Sequence, residues 1–322
     1  MGWKGTLRSI SAAARAAERE SQRRHKQALK EQIIEESSIA VEEWENYVGD
    51  LVSIHTSMNE IIDWHAIANS PCPEEPQFNN DHQNQAETAM GNFRPSFFHI
   101  FRGGSEKLRN QLEGNLAGAP ERDRVDYEVR LEKHVSDVSE WESETNLARR
   151  LVKGEAEAIK EVIEELQSLA DEGLIGSRIE FSISDGFVHA QPEVHSDEIV
   201  PNYRRKQLAS GKLSETKMPV GQFNELYQDY VGSVALKVAG DLFHILPLNE
   251  MYVTCASRML DPQTGHKKLM PILSVQFVRE TFMQLNLDNL DPSDSMTNFN
   301  HTMDFKKTKG FAPVESLHPL VS

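Results

Sequence analysis

The chain has 322 residues, 39% of them hydrophobic and 26% charged, with a formal net charge of −16. Length predicts about two domains, and no apolar run reaches the roughly 20 residues that a membrane-spanning helix needs. The two cysteines, Cys72 and Cys255, lie far apart and outside any C-x-x-C pair, which excludes a disulfide framework and a zinc ribbon.

Free thiols fit a reducing compartment, and Arg8, Arg15 and Arg19 interrupt what would have to be the apolar core of a secretory signal. The expected location is therefore the cytoplasm, with no membrane partner. Charge is unevenly spread. Residues 1–30 carry eight basic groups (Lys4, Arg8, Arg15, Arg19, Arg23, Arg24, Lys26, Lys30) against Glu18 and Glu20. Residues 31–93 carry thirteen acidic groups and no Lys or Arg. The N-terminal arm is thus dipolar, first basic and then wholly acidic.

From Ser9 to about Ala68 the pattern is helical. Leu29, Ile33, Ala40, Trp44, Tyr47, Leu51, Ile54, Met58 and Ile61 recur on a 3.6-residue period. Gly49 is the weak point, at about 1 kcal/mol relative to Ala, and Pro71 stops the helix. Residues 71–92 read as a polar surface loop inside a connection over about 69–104. Phe93, Phe97, Phe98 and Phe101, beside Arg94 and Arg102, form an aromatic knot expected to pack that loop. A second long helix is predicted from Ser105 to Asp171, broken near Gly114–Pro120 and stopped at Gly173. Its stripe runs through Val125, Val129, Val135, Val138, Trp141, Ala148 and Leu151. Two long helices with one apolar stripe each are expected to pair antiparallel.

Beyond Gly173 the period changes. Arg178–Ser184 and Phe187–Val194 alternate around Asp185-Gly186, which predicts a β-hairpin. Gln222–Leu246 is the strongest helix, apolar over a wide face and ended by Pro247. Met251–Met259 and Pro271–Val278 are predicted strands joined by a turn at Asp261–His266. Asp291-Pro292 reads as a helix N-cap with proline at the first helical position. His301–Phe311 is a last extended segment. The predicted fold class is α+β: a long antiparallel, coiled-coil-like helical hairpin with its basic arm over residues 1–172, then a compact mixed α+β domain with a mainly antiparallel sheet over residues 173–322.

Three stretches carry a family resemblance. They are Gly2-Trp3-Lys4-Gly5-Thr6-Leu7-Arg8; Ser210-Gly211-Lys212-Leu213-Ser214 with Met218-Pro219 and Tyr227–Val231; and Thr264-Gly265-His266 with Pro271–Val275, Asp291–Asp294 and Phe305–Phe311. Together these resemble a family of bacterial proteins with a basic helical N-terminus and an α+β C-terminal domain. The resemblance implies a bacterial, intracellular setting and an association with defence or stress systems. It brings no activity, cofactor or catalytic residue.

The chemistry-bearing candidates are few. Lys4, Arg8, Arg15, Arg19, Arg23 and Lys26 fall at spacings that make one cationic stripe on a helix, able to follow phosphates or to neutralise the acidic segment of another copy. Lys306, Lys307 and Lys309 form a second cationic run, which also reads as an edge protected against strand pairing. Asp261, Asp291 and Asp294 lie near predicted turns and are candidate divalent-metal ligands, although Asp261 also reads as a turn residue and Asp291 as a cap. Cys255 and His244 are a weaker nucleophile pair. No glycine-rich phosphate loop is present and no cofactor is implied. The favoured function is a non-enzymatic interaction or scaffold protein, self-associating or docking a protein partner through the hairpin. The alternatives are a metal-dependent nuclease and a nucleic-acid-binding protein that uses the basic arm.

Overall fold

The computed structural model describes the backbone of residues 3–94, 104–167, 176, 178–184 and 186–318, and the side chains of 20–94, 106–165, 176, 178–184 and 186–318. The chain divides into two compact units, residues 1–62 with 154–322 and residues 63–153. In chain order the longer helices are α1 (Trp3–Val52), α2 (Trp64–Ala68), α3 (Asp81–Gly91), α4 (Gly104–Val152), α5 (Ala156–Gln167) and α6 (Val220–Ile245). Long helices precede a mainly antiparallel sheet, so the class is α+β. The sequence places a boundary at 172/173; the chain's contacts group α1 and α5 with the sheet. The two long helices, α1 and α4, therefore fall in different units.

In the first unit β1 (Arg178–Ser184), β2 (Phe187–Glu193), β5 (Glu250–Leu260), β6 (Lys267–Val278), β7 (Asn300–Lys306) and β8 (Gly310–Ala312) lie side by side in the order β1-β2-β5-β6-β7-β8. Only β2 and β5 pair in parallel. The predicted β1–β2 hairpin forms, with Gly186 at a positive φ in its turn and Asp185 outside the described residues. β6 begins at Lys267, earlier than expected from Pro271. A bulge between Cys255 and Ala256 absorbs the proline, which has no N–H to offer the ladder. The expected last segment is two strands joined by a turn, with Lys309 N donating to Lys306 O at 2.9 Å.

β5 is buried on both faces over seven successive residues, Met251–Ser257. The reason is visible in two neighbours. Cys255 Sγ reaches Val231 O of α6 at 3.9 Å. Thr254 bonds Ser274 Oγ at 2.7 Å, and that oxygen accepts from Leu317 N at 2.9 Å. One face of the sheet therefore carries α6 and the other the C-terminal segment. Tyr230, Val231, Val234, Ala235 and Leu236 of α6 are fully buried. The Arg279 guanidinium ends α6 by donating to the carbonyls of Phe243, Leu246 and Leu248. It also stands over the Phe243 ring.

A two-stranded ribbon, β3 (Tyr203–Gln207) with β4 (Leu213–Lys217), has no counterpart in the sequence expectations. Its Arg-Arg-Lys run has no apolar face to announce it. The ribbon is where α1 docks. Trp44 Nε1 donates to Tyr203 O at 3.1 Å, Tyr47 OH to Ile199 O at 2.8 Å, and Gln207 Nε2 to Ile34 O at 2.7 Å. The docked seam of α1 runs through Ile34, Ser37, Val41, Trp44, Val48 and Leu51, at spacings of three and four. It shares only Trp44 and Leu51 with the expected stripe.

Helix α1 also stops earlier than expected, at Val52 and not near Ala68. No proline ends it. The chain leaves the helix because residues 53–62 find partners on α6: His55 N donates to Ser233 Oγ at 3.1 Å and Ile62 N to His244 O at 2.8 Å.

In the second unit α4 packs on α2 and α3. The expected loop over 71–92 contains α3, an 11-residue helix. Its first N–H groups are satisfied by a carboxylate from α4, with Asp123 accepting from His82 N at 2.8 Å and Gln83 N at 3.0 Å. Asp126 adds a contact to His82 Nε2 at 2.7 Å. Helix α4 runs unbroken through Pro120. Arg122 donates to Asn115 O at 2.8 Å, in the turn that the proline disturbs. The actual break lies at Gly154, whose φ of 75° is a left-handed conformation that side chains resist. Phe97, Phe98, Phe101 and Arg102 of the aromatic knot, and Gly173, lie outside the described residues.

Candidate interaction surface

Helix α1 is 50 residues long, and among its described side chains the docking contacts begin at Ile34. Every residue from Glu20 to Glu36 is exposed. Leu29 is 50% exposed, Ile33 36% and Ile39 49%, which are high values for apolar side chains on one helix. Arg23, Arg24, Lys26 and Lys30 are all exposed, as are Glu31, Glu35, Glu36, Glu42, Glu43 and Glu45. The switch from basic to acidic between Lys30 and Glu31 thus occurs on a free helical surface. Local pairs hold parts of it: Arg24 bonds Glu20 at 2.6 Å, and Gln27 and Gln32 bond the glutamates four residues on. Such exposed pairs contribute about 0.3–0.5 kcal/mol each and leave the charge pattern available. Lys4, Arg8, Arg15 and Arg19 sit on helical backbone, and their side chains lie outside the described residues.

The second cationic run is partly consumed. Lys307 pairs with Glu225 of α6, an interaction that raises its pKa, and Asn224 Nδ2 donates to Lys307 O at 2.7 Å. Lys306 and Lys309 remain exposed.

The candidate metal residues have local roles. Asp261 accepts from Gln263 N at 2.9 Å and from Thr264 Oγ1 at 3.0 Å, closing the β5–β6 turn; these bonds lower its pKa. Asp291 caps the single-turn helix Pro292–Ser295 as expected, accepting from Asp294 N at 2.9 Å and Ser293 Oγ at 3.0 Å. Among the described residues no three His, Cys, Asp or Glu side chains are grouped to hold a metal ion. The structure does bring Asp291 and Asp294 beside Asp229 and Glu225 of α6. Burial first, and then these three carboxylates, push the Asp229 pKa up to about 6 against a hydrogen bond from Ser293. The sequence shows Glu225 and Asp229 one helical turn apart, but not that the 291–294 turn lands on them.

His55 and Ser233 form a second cluster that no motif announced. His55 Nε2 lies 3.0 Å from Leu287 O and Nδ1 lies 2.8 Å from Ser233 Oγ. A carbonyl only accepts, so the ring proton is on Nε2, and the Ser233 hydroxyl donates to Nδ1. Burial lowers the His55 pKa, in keeping with this neutral form. A serine hydroxyl donating to an imidazole is the arrangement of a nucleophile and its base. Here Ser233 is fully buried and its oxygen also accepts from His55 N, so the pair staples residues 53–62 to α6.

Beside it lies an open polar cleft of about 570 Å³, lined by residues that include Asn59, His244, Asn286 and Asp288. His244 donates to Asn59 O at 2.5 Å. His244 is committed there, while Cys255 is fully buried with its thiol pKa pushed up by desolvation. The pair considered from sequence is therefore not a nucleophile and base.

No described helix is long and apolar enough to cross a membrane. No family model matches the chain, and no curated protein or solved structure matches it.

Proposed function

We propose that this chain is a non-enzymatic interaction protein of the bacterial cytoplasm that self-associates through its long helical region, with the sheet-bearing unit as the platform that holds α1. The observation that carries the reading is the exposed surface of α1 from Glu20 to Glu36, with Leu29 and Ile33 uncovered and the charge reversing at Lys30–Glu31. An isolated helix gains little from its own hydrogen bonds, and most helical stability comes from packing an apolar face. A long helix docked over Ile34–Leu51 and exposed over Glu20–Ile33 is a surface suited to a partner. The bacterial setting and an accessory role in defence or stress rest on the resemblance of the sequence.

The test is the mass of the full-length chain by sedimentation equilibrium over a wide concentration range. The expected result is a mass that climbs above the 36.5 kDa of one chain. A mass fixed at one chain throughout would overturn the reading. A second reading, nucleic-acid binding, draws on Arg23, Arg24, Lys26 and Lys30, four exposed cations within eight residues. It predicts retardation of a DNA duplex that falls steeply with salt. The metal-dependent nuclease has no comparable observation in its favour.

A further inference from the structure

We propose that the sheet face turned away from α6 is a docking groove for an extended peptide, and that the chain's own residues 313–318 occupy it as a removable strap. The site is separate from α1 and does not depend on the association proposed for that helix.

The two faces of the sheet are built differently. Cys255 faces α6. Side chains alternate along a strand, so Val253 and, opposite it, Val275 share that apolar face, and both are fully buried. The other face carries a row of polar side chains that crosses four strands. Thr254 stands opposite Ser274, and Ser274 opposite Thr302. His189 of β2 joins the row, with Nε2 2.8 Å from Thr254 Oγ1, which lies 2.7 Å from Ser274 Oγ. His189, Thr254 and Ser274 are nonetheless almost fully buried. One step along the strands the polar character continues, where Asn300 donates to Gln276 and Gln276 to Glu250.

The C-terminal segment lies over this row. Val314 N donates to Pro271 O, Thr302 Oγ1 to Glu315 O and Leu317 N to Ser274 Oγ, each at 2.9 Å. The His318 ring stands edge-on to the His189 ring, with centroids 5.5 Å apart. Between Glu315 and His318 the segment thus passes from β7 to β2. Crossing three strand spacings within three residues demands extended chain. All three hydrogen bonds use the backbone of the segment. The groove therefore fits an extended peptide supplied in trans, with free N–H groups three residues apart and a carbonyl between them.

Little holds the strap besides these bonds. Val314 and Leu317 are only half-buried, and Pro313, Glu315 and His318 are exposed. The groups it covers are hydroxyls and an imidazole. Water satisfies them when the strap leaves, so opening costs less than uncovering an apolar face of equal size. The chain just before it stays anchored, because Phe311 is buried against Tyr227 and Phe305.

The test uses the full-length chain. Hydrogen exchange of the isotope-labelled wild type is expected to be about a hundredfold faster at the Val314 and Leu317 amides than at Val253 and Thr254 in β5. An unlabelled peptide of residues 312–318, capped at both ends, is then titrated in. At concentrations on the order of millimolar, comparable to that of a tethered segment, it should displace the strap and shift the Val314 and Leu317 signals of the chain. The same peptide carrying Val314→Pro and Leu317→Pro lacks both N–H donors and should leave them unmoved. In the full-length chain Leu317→Pro withdraws the strap's N–H from Ser274, and this variant should bind the peptide roughly tenfold tighter than the wild type. Adding Ser274→Ala should remove that gain, with circular dichroism confirming the fold. Strap amides as protected as those of β5, no displacement by the peptide, or equal displacement by its proline form would each overturn the proposal. Exchange and titration use the wild type, so they decide the matter whether or not the variants fold. Neither reads the mass of the chain, by which the association of α1 is tested.

Discussion

Asp229 shows how one residue can set a pH response. Its folded pKa of about 6 stands above the ordinary 3.8 because burial and the neighbouring Asp291, Glu225 and Asp294 disfavour the anion; the Lys307 ammonium also lies within electrostatic reach. Between these two values the unfolded chain has released the proton and the folded chain has kept it, so this group costs stability as pH rises from about 4 to about 6. Asp229→Asn removes that cost and is expected to stabilise the protein above pH 6, by on the order of 1 kcal/mol after solvent screening, and to do little at pH 4. His189 works in the opposite sense over an overlapping window. Burial first, and then His318, pull its pKa down to about 4, so its contribution is complete above 6.5 and lost as pH falls toward 4. The two slopes oppose each other in the wild type. Urea melts across pH 4–8 should show a steeper acid loss in Asp229→Asn than in the wild type; parallel curves would contradict the assignment.

Arg279 carries a second prediction at this scale. Its guanidinium is half-buried and satisfies three carbonyls at the end of α6. Hydrogen bonds to a charged donor contribute about 1.5–3 kcal/mol each, and buried carbonyls left without partners cost more than lost bonds alone. Arg279→Ala should destabilise by about 3 kcal/mol in chemical denaturation. Arg279→Lys should recover only part of that, because one ammonium cannot reproduce the planar fork.

At the scale of elements, α6 illustrates a conflict between propensity and packing. Gly232 lies in mid-helix, where Ala would gain about 1 kcal/mol. A Cβ there would come within 2.9 Å of Pro292 C and O, and backbone cannot swing aside as a side-chain tip can. Overpacking costs about 1–3 kcal/mol, so Gly232→Ala is expected to lower stability, read as a drop in melting temperature. A rise would mean that the 291–295 turn yields. Helix α3 makes the complementary point. Its sequence reads as a loop because its own cap, Asn80, makes no side-chain bond. The capping carboxylate is Asp123, forty-one residues away and almost fully buried.

For the molecule as a whole, surface charge governs the association proposed for α1. Contacts between exposed ions weaken as the screening length shrinks from about 10 Å at 0.1 M salt to about 3 Å at 1 M. The dimer fraction, measured by light scattering, should therefore fall as salt rises. An association that strengthens with salt would point to Leu29, Ile33 and Ile39 as its main source.

Local sequence determined much of this. Apolar periodicity was enough for two long helices and the core helix α6, alternation around a glycine turn for the β1–β2 hairpin, and Asp291-Pro292 for a capped turn. Each depends on interactions within a few residues. The reversal of charge at residue 30 is a property of sequence alone. Tertiary structure decided where the helices stop and which faces they bury. Val52 ends α1 because His55 and Ile62 find partners on α6. The docked seam is Ile34, Ser37, Val41, Trp44, Val48 and Leu51 because β3 presents the Tyr203 carbonyl to Trp44 and the Gln207 amide to the Ile34 carbonyl. Glu225, Asp229, Asp291 and Asp294 meet because a turn lands on a glycine in mid-helix. Such contacts join residues tens to hundreds of positions apart, and no local pattern encodes the partner. That is also why the exposure of Leu29 and Ile33, beside the charge switch, became legible only once the extent of the docked stretch was known.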